Sequence, residues 1–116
     1  MTTRSVPHET APQTVIHTAW PYHEDWADAL EGAREEFARF LTLAAAPGAA
    51  GKAQPLTIYV ANAETEASAR RAMGDRATYV RAPYGDVWTR DTGPVFVTSS
   101  EGLKALRFKF NGWGGK

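Results

Sequence analysis

The sequence predicts an α/β fold of mixed α+β character, and three observations carry that prediction. Short β-branched and aromatic runs alternate with segments of 3.6-residue apolar period as far as Arg81, the pattern of strands joined by crossover helices. Two more strand-like runs near the end flank a turn-like Ser99-Ser-Glu-Gly102, the pattern of a hairpin. A length of 116 residues with 43% hydrophobic content supports one modest core.

Residues 1–13 are polar, hold Pro7 and Pro12, and read as an extended lead-in. Thr14-Val-Ile-His-Thr-Ala-Trp20 is a strand halted by Pro21. Asp25 to Ala46 is the strongest helix: Trp26, Leu30, Ala33, Phe37, Phe40, Leu41 and Ala44 fall near one face. Glu24, Asp25 and Asp28 oppose its N-terminal dipole, and Pro47-Gly48 with Gly51 ends it. Leu56 to Ala61 is a second, buried strand. Asn62 caps a shorter helix to about Met73, whose apolar stripe (Ala63, Ala67, Met73) is thin. Ala77 to Arg81 is a third strand; Val95 to Thr98 and Ala105 to Phe110 form the hairpin. The order is β-α-β-α-β-loop-β-β, with parallel crossovers and an antiparallel hairpin giving mixed sheets. The sequence has no strict internal repeat.

No apolar run approaches the ~18 residues of a membrane helix, and Met1-Thr-Thr-Arg-Ser-Val6 lacks the apolar centre of a signal peptide. The expectation is a soluble, cytoplasmic protein without a membrane partner. Cysteine is absent, so the sequence offers no disulfide, thiolate metal site or cysteine nucleophile. Net charge is zero, which argues against a nucleic-acid partner even for the basic, aromatic stretch from Arg107 to Lys116. Charge is uneven: residues 1–46 hold three Lys/Arg against seven Asp/Glu, and residues 76–116 hold seven against three. Solvated faces account for that asymmetry.

The chemistry concentrates in Tyr84-Gly-Asp-Val-Trp-Thr-Arg-Asp-Thr-Gly-Pro94 and in Asn111-Gly-Trp-Gly-Gly115. A Trp, an Arg and two Asp fall between Asp86 and Asp91, after a strand and before the redirecting Gly93-Pro94. Carboxylates beside a flat aromatic surface suit a flat cation, and guanidinium is the commonest one. Asp91 can accept two parallel bonds from a guanidinium; alternatively it caps its turn or pairs with Arg90. Trp88 can wall the same pocket, or pack inward as most aromatics do. Asp86 can second the charge, or hold the loop by accepting from backbone N–H groups. Arg90 reads as structural, since a fixed positive charge beside a cation site is unfavourable unless it turns away. The glycines around Trp113, Gly114 among them, let backbone approach a ligand closely, or simply form a turn with the indole tucked in. His8, His17 and His23 stand nine and six apart, which fits no metal-ligand spacing; His17 reads as a surface residue on its strand. Trp20 and Trp26 read as core at the strand-to-helix corner. There is no Ser-His-Asp arrangement, phosphate loop or dinucleotide fingerprint, so neither metal nor cofactor is expected.

Together, Thr18-Ala-Trp-Pro21, Asp25-Trp26, Asp86-Val-Trp-Thr-Arg-Asp-Thr-Gly-Pro94 and Phe110-Asn-Gly-Trp-Gly-Gly115 resemble the N-terminal part of agmatine deiminases. More broadly they are similar to the bacterial-type peptidylarginine deiminase and agmatine deiminase family. The resemblance runs from about Glu9 to Lys116. It implies a pentein fold, a five-bladed propeller of α/β modules around a substrate tunnel, and hydrolysis of agmatine to N-carbamoylputrescine and ammonia on the route to putrescine. In that family a cysteine attacks the guanidinium carbon, a histidine is the general acid/base, and carboxylates clamp the guanidinium nitrogens. The resemblance makes Asp91 one of those carboxylates, Trp88 a wall of the substrate site, and Trp113 to Gly115 neighbours of the substrate tail. Asp86 would stand beside them.

Two departures qualify the match. Where the family usually begins with a Pro-x-Glu-Trp-x-Pro-His element, the aligned stretch is His8-Glu-Thr-Ala-Pro-Gln13, with Thr10 in place of Trp. The family's Cys, His and remaining carboxylates lie downstream of anything present. Residues 1–116 are therefore expected to be an incomplete N-terminal portion of one pentein catalytic domain. It would supply binding residues, be inactive by itself, and belong to a full-length enzyme open to homo-oligomerisation. Two alternatives stand. One is a deiminase of C-terminal peptidyl-arginine, which Lys109 and Lys116 would suit and the absence of Arg around Trp113 would not. The other is a non-catalytic module that binds a cationic side chain.

Overall fold

In the computed structural model, which describes residues 3–22, 24–48 and 51–111, those residues form six strands and three α-helices. In order they are β1 (Arg4–Ser5), β2 (Ile16–Ala19), α1 (Leu30–Ala44), β3 (Leu56–Val60), α2 (Ala63–Met73), β4 (Thr78–Arg81), α3 (Thr89–Thr92), β5 (Val95–Ser99) and β6 (Gly102–Leu106). They divide into two compact units, residues 13–88 and residues 1–12 with 89–116.

In the first unit, β2, β3 and β4 form a parallel sheet with β3 in the middle. Its register sets Thr18 beside Ile58 and Ile58 beside Tyr79. Leu56, Ile58 and Val60 alternate inward along β3. With Trp20, Leu41, Ala69 and Met73 they make the core, at ~1.5–3 kcal/mol for each large side chain removed from water. Trp20 is fully buried, and its indole N–H donates to Ser68 Oγ at 3.1 Å, which satisfies the one polar atom the ring brings inside. Asn62 caps α2 as expected, its Oδ1 accepting from the Thr65 N–H at 2.9 Å and from Thr65 Oγ1 at 2.8 Å. Gly74, at φ 56°, closes that helix, a conformation glycine adopts without strain.

Both helices differ from expectation in detail. A 3₁₀ segment, Glu24–Ala29, precedes α1 and is broken at Ala27 (φ 42°). Glu24, Asp25 and Asp28 thus lie ahead of the α-helix, and Glu31 is the acidic residue of its first turn. Apolar spacing alone does not separate a 3₁₀ lead from α-helix. The buried face is also rotated: Leu41 is inside, but so is Arg34, whereas Phe40 (61%) and Leu43 (77%) are exposed. In α2 the buried residues are Thr65, Ser68, Ala69 and Met73, with Ala63 and Ala67 outside. Small and hydroxylic side chains fill that contact, so hydrophobicity understated it.

In the second unit, β5 and β6 form a hairpin from Val95↔Leu106 to Ser99↔Gly102, turning on Ser100-Glu101 with Gly102 at φ +102°. β1 pairs antiparallel with β5 through Arg4↔Ser99 and Ser5↔Thr98. The lead-in therefore contributes a strand, and the last strand ends at Leu106, short of the expected Phe110. Mixed sheets were expected; instead each sheet is of one kind, parallel where helices cross over and antiparallel where the hairpin folds. No helix among the described residues is long and apolar enough to cross a membrane.

Candidate functional site

The residues singled out in the sequence fall on two sides of the division between the units. Asp86 and Trp88 belong to the first unit, at the end of a loop leaving β4; Asp91 belongs to the second. Trp113 and Gly114 lie outside the described residues, as does His23.

The loop after β4 is fastened at its root. The Ala82 N–H donates to the Val60 carbonyl at 3.1 Å. Tyr84 is bonded twice to the corner after β2: its hydroxyl donates to the Trp20 carbonyl at 2.6 Å, and its own carbonyl accepts from the Tyr22 hydroxyl at 2.5 Å. The two rings meet edge to face, 4.9 Å between centroids. Burial, and then the neighbouring Tyr22, pushes the Tyr84 phenol well above the usual tyrosine range, so it remains a hydrogen-bond donor at any physiological pH. Beyond it, Asp86 Oδ1 accepts from the Val87 N–H at 2.7 Å, the loop-holding alternative of its two readings. Trp88 is 57% exposed, not packed in the core; a ring so exposed can gain about 0.5–1 kcal/mol from a cation over its face.

Arg34 secures the other side of the corner. It is buried, its Nε donates to the Pro21 carbonyl at 2.8 Å, and its two terminal nitrogens reach both Glu64 oxygens at 2.7 and 3.1 Å. Glu31 adds a 3.2 Å contact. The hydrogen bond from Arg34 holds the Glu64 carboxyl below the ordinary carboxylate value, and the same bond raises Arg34. Tyr22, Tyr84 and Arg34 escaped the sequence reading. Tyr22 follows Trp-Pro and Tyr84 opens the Asp/Trp-rich loop, a placement that could have drawn attention to both.

In the second unit, α3 is a single turn closed by the Gly93 N–H donating to the Thr89 carbonyl at 2.7 Å. A Cβ on Gly93 would lie 2.6 Å from that same oxygen, so the turn admits no side chain there. Asp91 is exposed on this turn. Arg90 does not pair with it; its guanidinium forms an ion pair with Glu9, both side chains being exposed. Arg90 thus turns to another carboxylate, as a structural role for it requires. His8 closes a turn with Thr10 at 2.8 Å, and His17 is an exposed residue 3.0 Å from the Tyr59 hydroxyl. Among the described residues, no group of three or more His, Cys, Asp or Glu could hold a metal ion.

The described residues thus place an Asp/Trp loop on a parallel α/β unit, followed in sequence by a glycine-closed turn that carries a second Asp. Residues 5–116 match the Porphyromonas-type peptidyl-arginine deiminases, and the chain belongs to that family. Within it the chain is similar to the agmatine deiminase of Stutzerimonas stutzeri, 37% identical over 114 residues, covering 96% of this chain and 29% of that protein. It is also similar to the agmatine deiminase of Pseudomonas putida, 33% identical over 112 residues, 95% of this chain and 29% of the relative. Among solved structures, the agmatine deiminase of Enterococcus faecalis superposes with a TM-score of 0.83 at 25% identity, covering 97% of this chain and 29% of that one. A C. jejuni agmatine deiminase variant with substrate bound gives 0.83 at 22% identity, covering 99% and 32%. The mixed α+β fold is that of these enzymes, and the chain spans about 29% of the length of the curated relatives it matches.

Proposed function

We propose that the full-length protein carrying this chain is an agmatine deiminase, hydrolysing agmatine to N-carbamoylputrescine and ammonia in cytoplasmic putrescine biosynthesis. The similarity to named agmatine deiminases over 95–96% of the chain carries the reading, with Trp88-Thr-Arg-Asp-Thr-Gly-Pro94 intact. In this reading the chain is the incomplete N-terminal portion of one five-bladed pentein domain. Asp91 accepts two guanidinium N–H groups and fixes the plane of the cation for attack. Trp88 covers a face of the cation, Asp86 braces the loop beneath it, and Trp113 and Gly114 border the aliphatic tail. The nucleophile and the acid/base come from the part of the relatives' length that this chain does not span. An aspartate that holds the charge through the tetrahedral step is worth ~2–4 kcal/mol in a water-excluded pocket. Asp91→Asn in the full-length enzyme is therefore expected to lower kcat/KM for agmatine by about 30- to 1,000-fold. An Asp91→Asn enzyme as fast as the parent would refute the reading.

The family's own description, peptidyl-arginine deiminase, favours a second reading, with C-terminal arginine as substrate. A peptide substrate adds a carboxylate that needs a cationic partner, for which Lys109 and Lys116 are the nearby candidates in sequence. Turnover of agmatine compared with that of a C-terminal arginine peptide separates the two: preference for agmatine supports the first reading, preference for the peptide the second.

A further inference from the structure

We propose that Tyr22 and Tyr84 form a reciprocal clasp that positions the Asp86–Trp88 loop, and that both are positioning residues for cation binding rather than ligands. The importance of the loop rests on the function proposed above; the clasp itself rests on geometry. Each tyrosine hydroxyl donates to a backbone carbonyl of the opposite segment, Tyr84 to Trp20 at 2.6 Å and Tyr22 to Tyr84 at 2.5 Å. The bonds run in opposite directions across segments more than sixty residues apart in sequence, and the edge-to-face rings fill the space between. One side of the clasp is fastened to the core. Trp20 is fully buried, its N–H donates to the Tyr59 carbonyl at 3.0 Å, and the next carbonyl, Pro21, is held by Arg34. The other side is the root of the loop that ends in the exposed Trp88.

Two further bonds of that loop are one at its entrance, Ala82 to Val60, and the local Asp86–Val87 bond. Neither fixes the loop's direction against the core. An indole meant to cover a flat cation has to be held at one inclination, and sites set on a preorganised support bind better than sites left to settle on their own. The clasp transfers the rigidity of the buried Trp20 corner to that inclination.

The test uses the full-length polypeptide carrying this chain, with Tyr22→Phe, Tyr84→Phe and the double variant. Amide hydrogen exchange at Ala82 and Val87, both hydrogen-bonded in the structure, is followed by NMR against the amides of β3 as a folding control. Loss of one hydrogen bond of about 1 kcal/mol is expected to speed exchange at Ala82 and Val87 by about fivefold. β3 should keep its protection, and the double variant should do little more than either single one. With agmatine, KM is expected to rise about fivefold while kcat changes less than about twofold, the signature of lost binding rather than lost chemistry. Equal acceleration in β3 would reduce the pair to general stabilisers and overturn the proposal, as would unchanged exchange in the loop. If Tyr84→Phe does not fold, Tyr22→Phe decides, because it keeps both rings and the Tyr84–Trp20 bond. If the parent enzyme does not turn over agmatine, the functional reading fails and the exchange data still judge the clasp.

Discussion

Gly93 shows how tightly a single position can be set. Its N–H closes the α3 turn on the Thr89 carbonyl, and that oxygen stands 2.6 Å from where a Cβ would be. Gly93→Ala must open the turn that carries Asp91, at about 1–3 kcal/mol for forcing an atom into occupied space. The expected outcome is a lower unfolding midpoint, with a fall in agmatine kcat/KM steeper than the stability loss accounts for. Parent-like kinetics in Gly93→Ala would mean that the turn tolerates rearrangement. Arg90 makes the complementary point at the same scale. Adjacent to Asp91 in sequence, it is paired with Glu9 instead, which leaves the Asp91 carboxylate without that neutralising neighbour.

At the scale of elements, α1, α2 and the corner after β2 are joined through one buried guanidinium. Arg34 donates to Pro21, Glu64 and Glu31, and its hydrogen bond lowers the Glu64 carboxyl below its ordinary value of 4.5. A carboxyl with a lowered folded-state pKa adds stability above its unfolded value, and that stability fades as the pH falls through the folded value. Glu64 is largely exposed, so solvent screens the pair and the contribution is modest. Urea denaturation is expected to show stability declining from about pH 4.5 downward, where the unfolded carboxyl begins to bind its proton first. Arg34→Met should flatten that decline while also freeing the Pro21 carbonyl. A variant that kept the parent's full acid dependence would remove Glu64 from the account.

At the scale of the whole molecule, sequence length governs what the chain can do. It spans about 29% of its curated relatives and contains no cysteine. The mechanism that the family resemblance implies uses a cysteine to attack the guanidinium carbon. The 116 residues by themselves are expected to release no ammonia from agmatine above the uncatalysed background. In the function proposed above, their affinity for agmatine should also be much weaker than the full-length protein's, because binding residues without the rest of a site are poorly preorganised. Measurable turnover by the isolated chain would contradict the division of labour proposed here.

The alternation of β-branched runs with helical periods determined the order from β2 to β4 and left out β1 and the single-turn α3, because period and turn residues are local properties. The same holds for the Asn62 cap, and the composition of the Asp86–Pro94 loop is likewise a local property, which is why a guanidinium site could be proposed there from sequence. Tertiary structure alone decided where Arg34 would lie. A buried cation is intelligible only once Glu64 and the Pro21 carbonyl are brought to it from other elements. It alone decided that Arg4–Ser5 pairs with β5, since two residues carry no period to read. It also joined Tyr22 to Tyr84. A hydrogen bond between residues distant in sequence leaves no trace in either neighbourhood, and it forms only when packing has excluded the water that would otherwise compete for it.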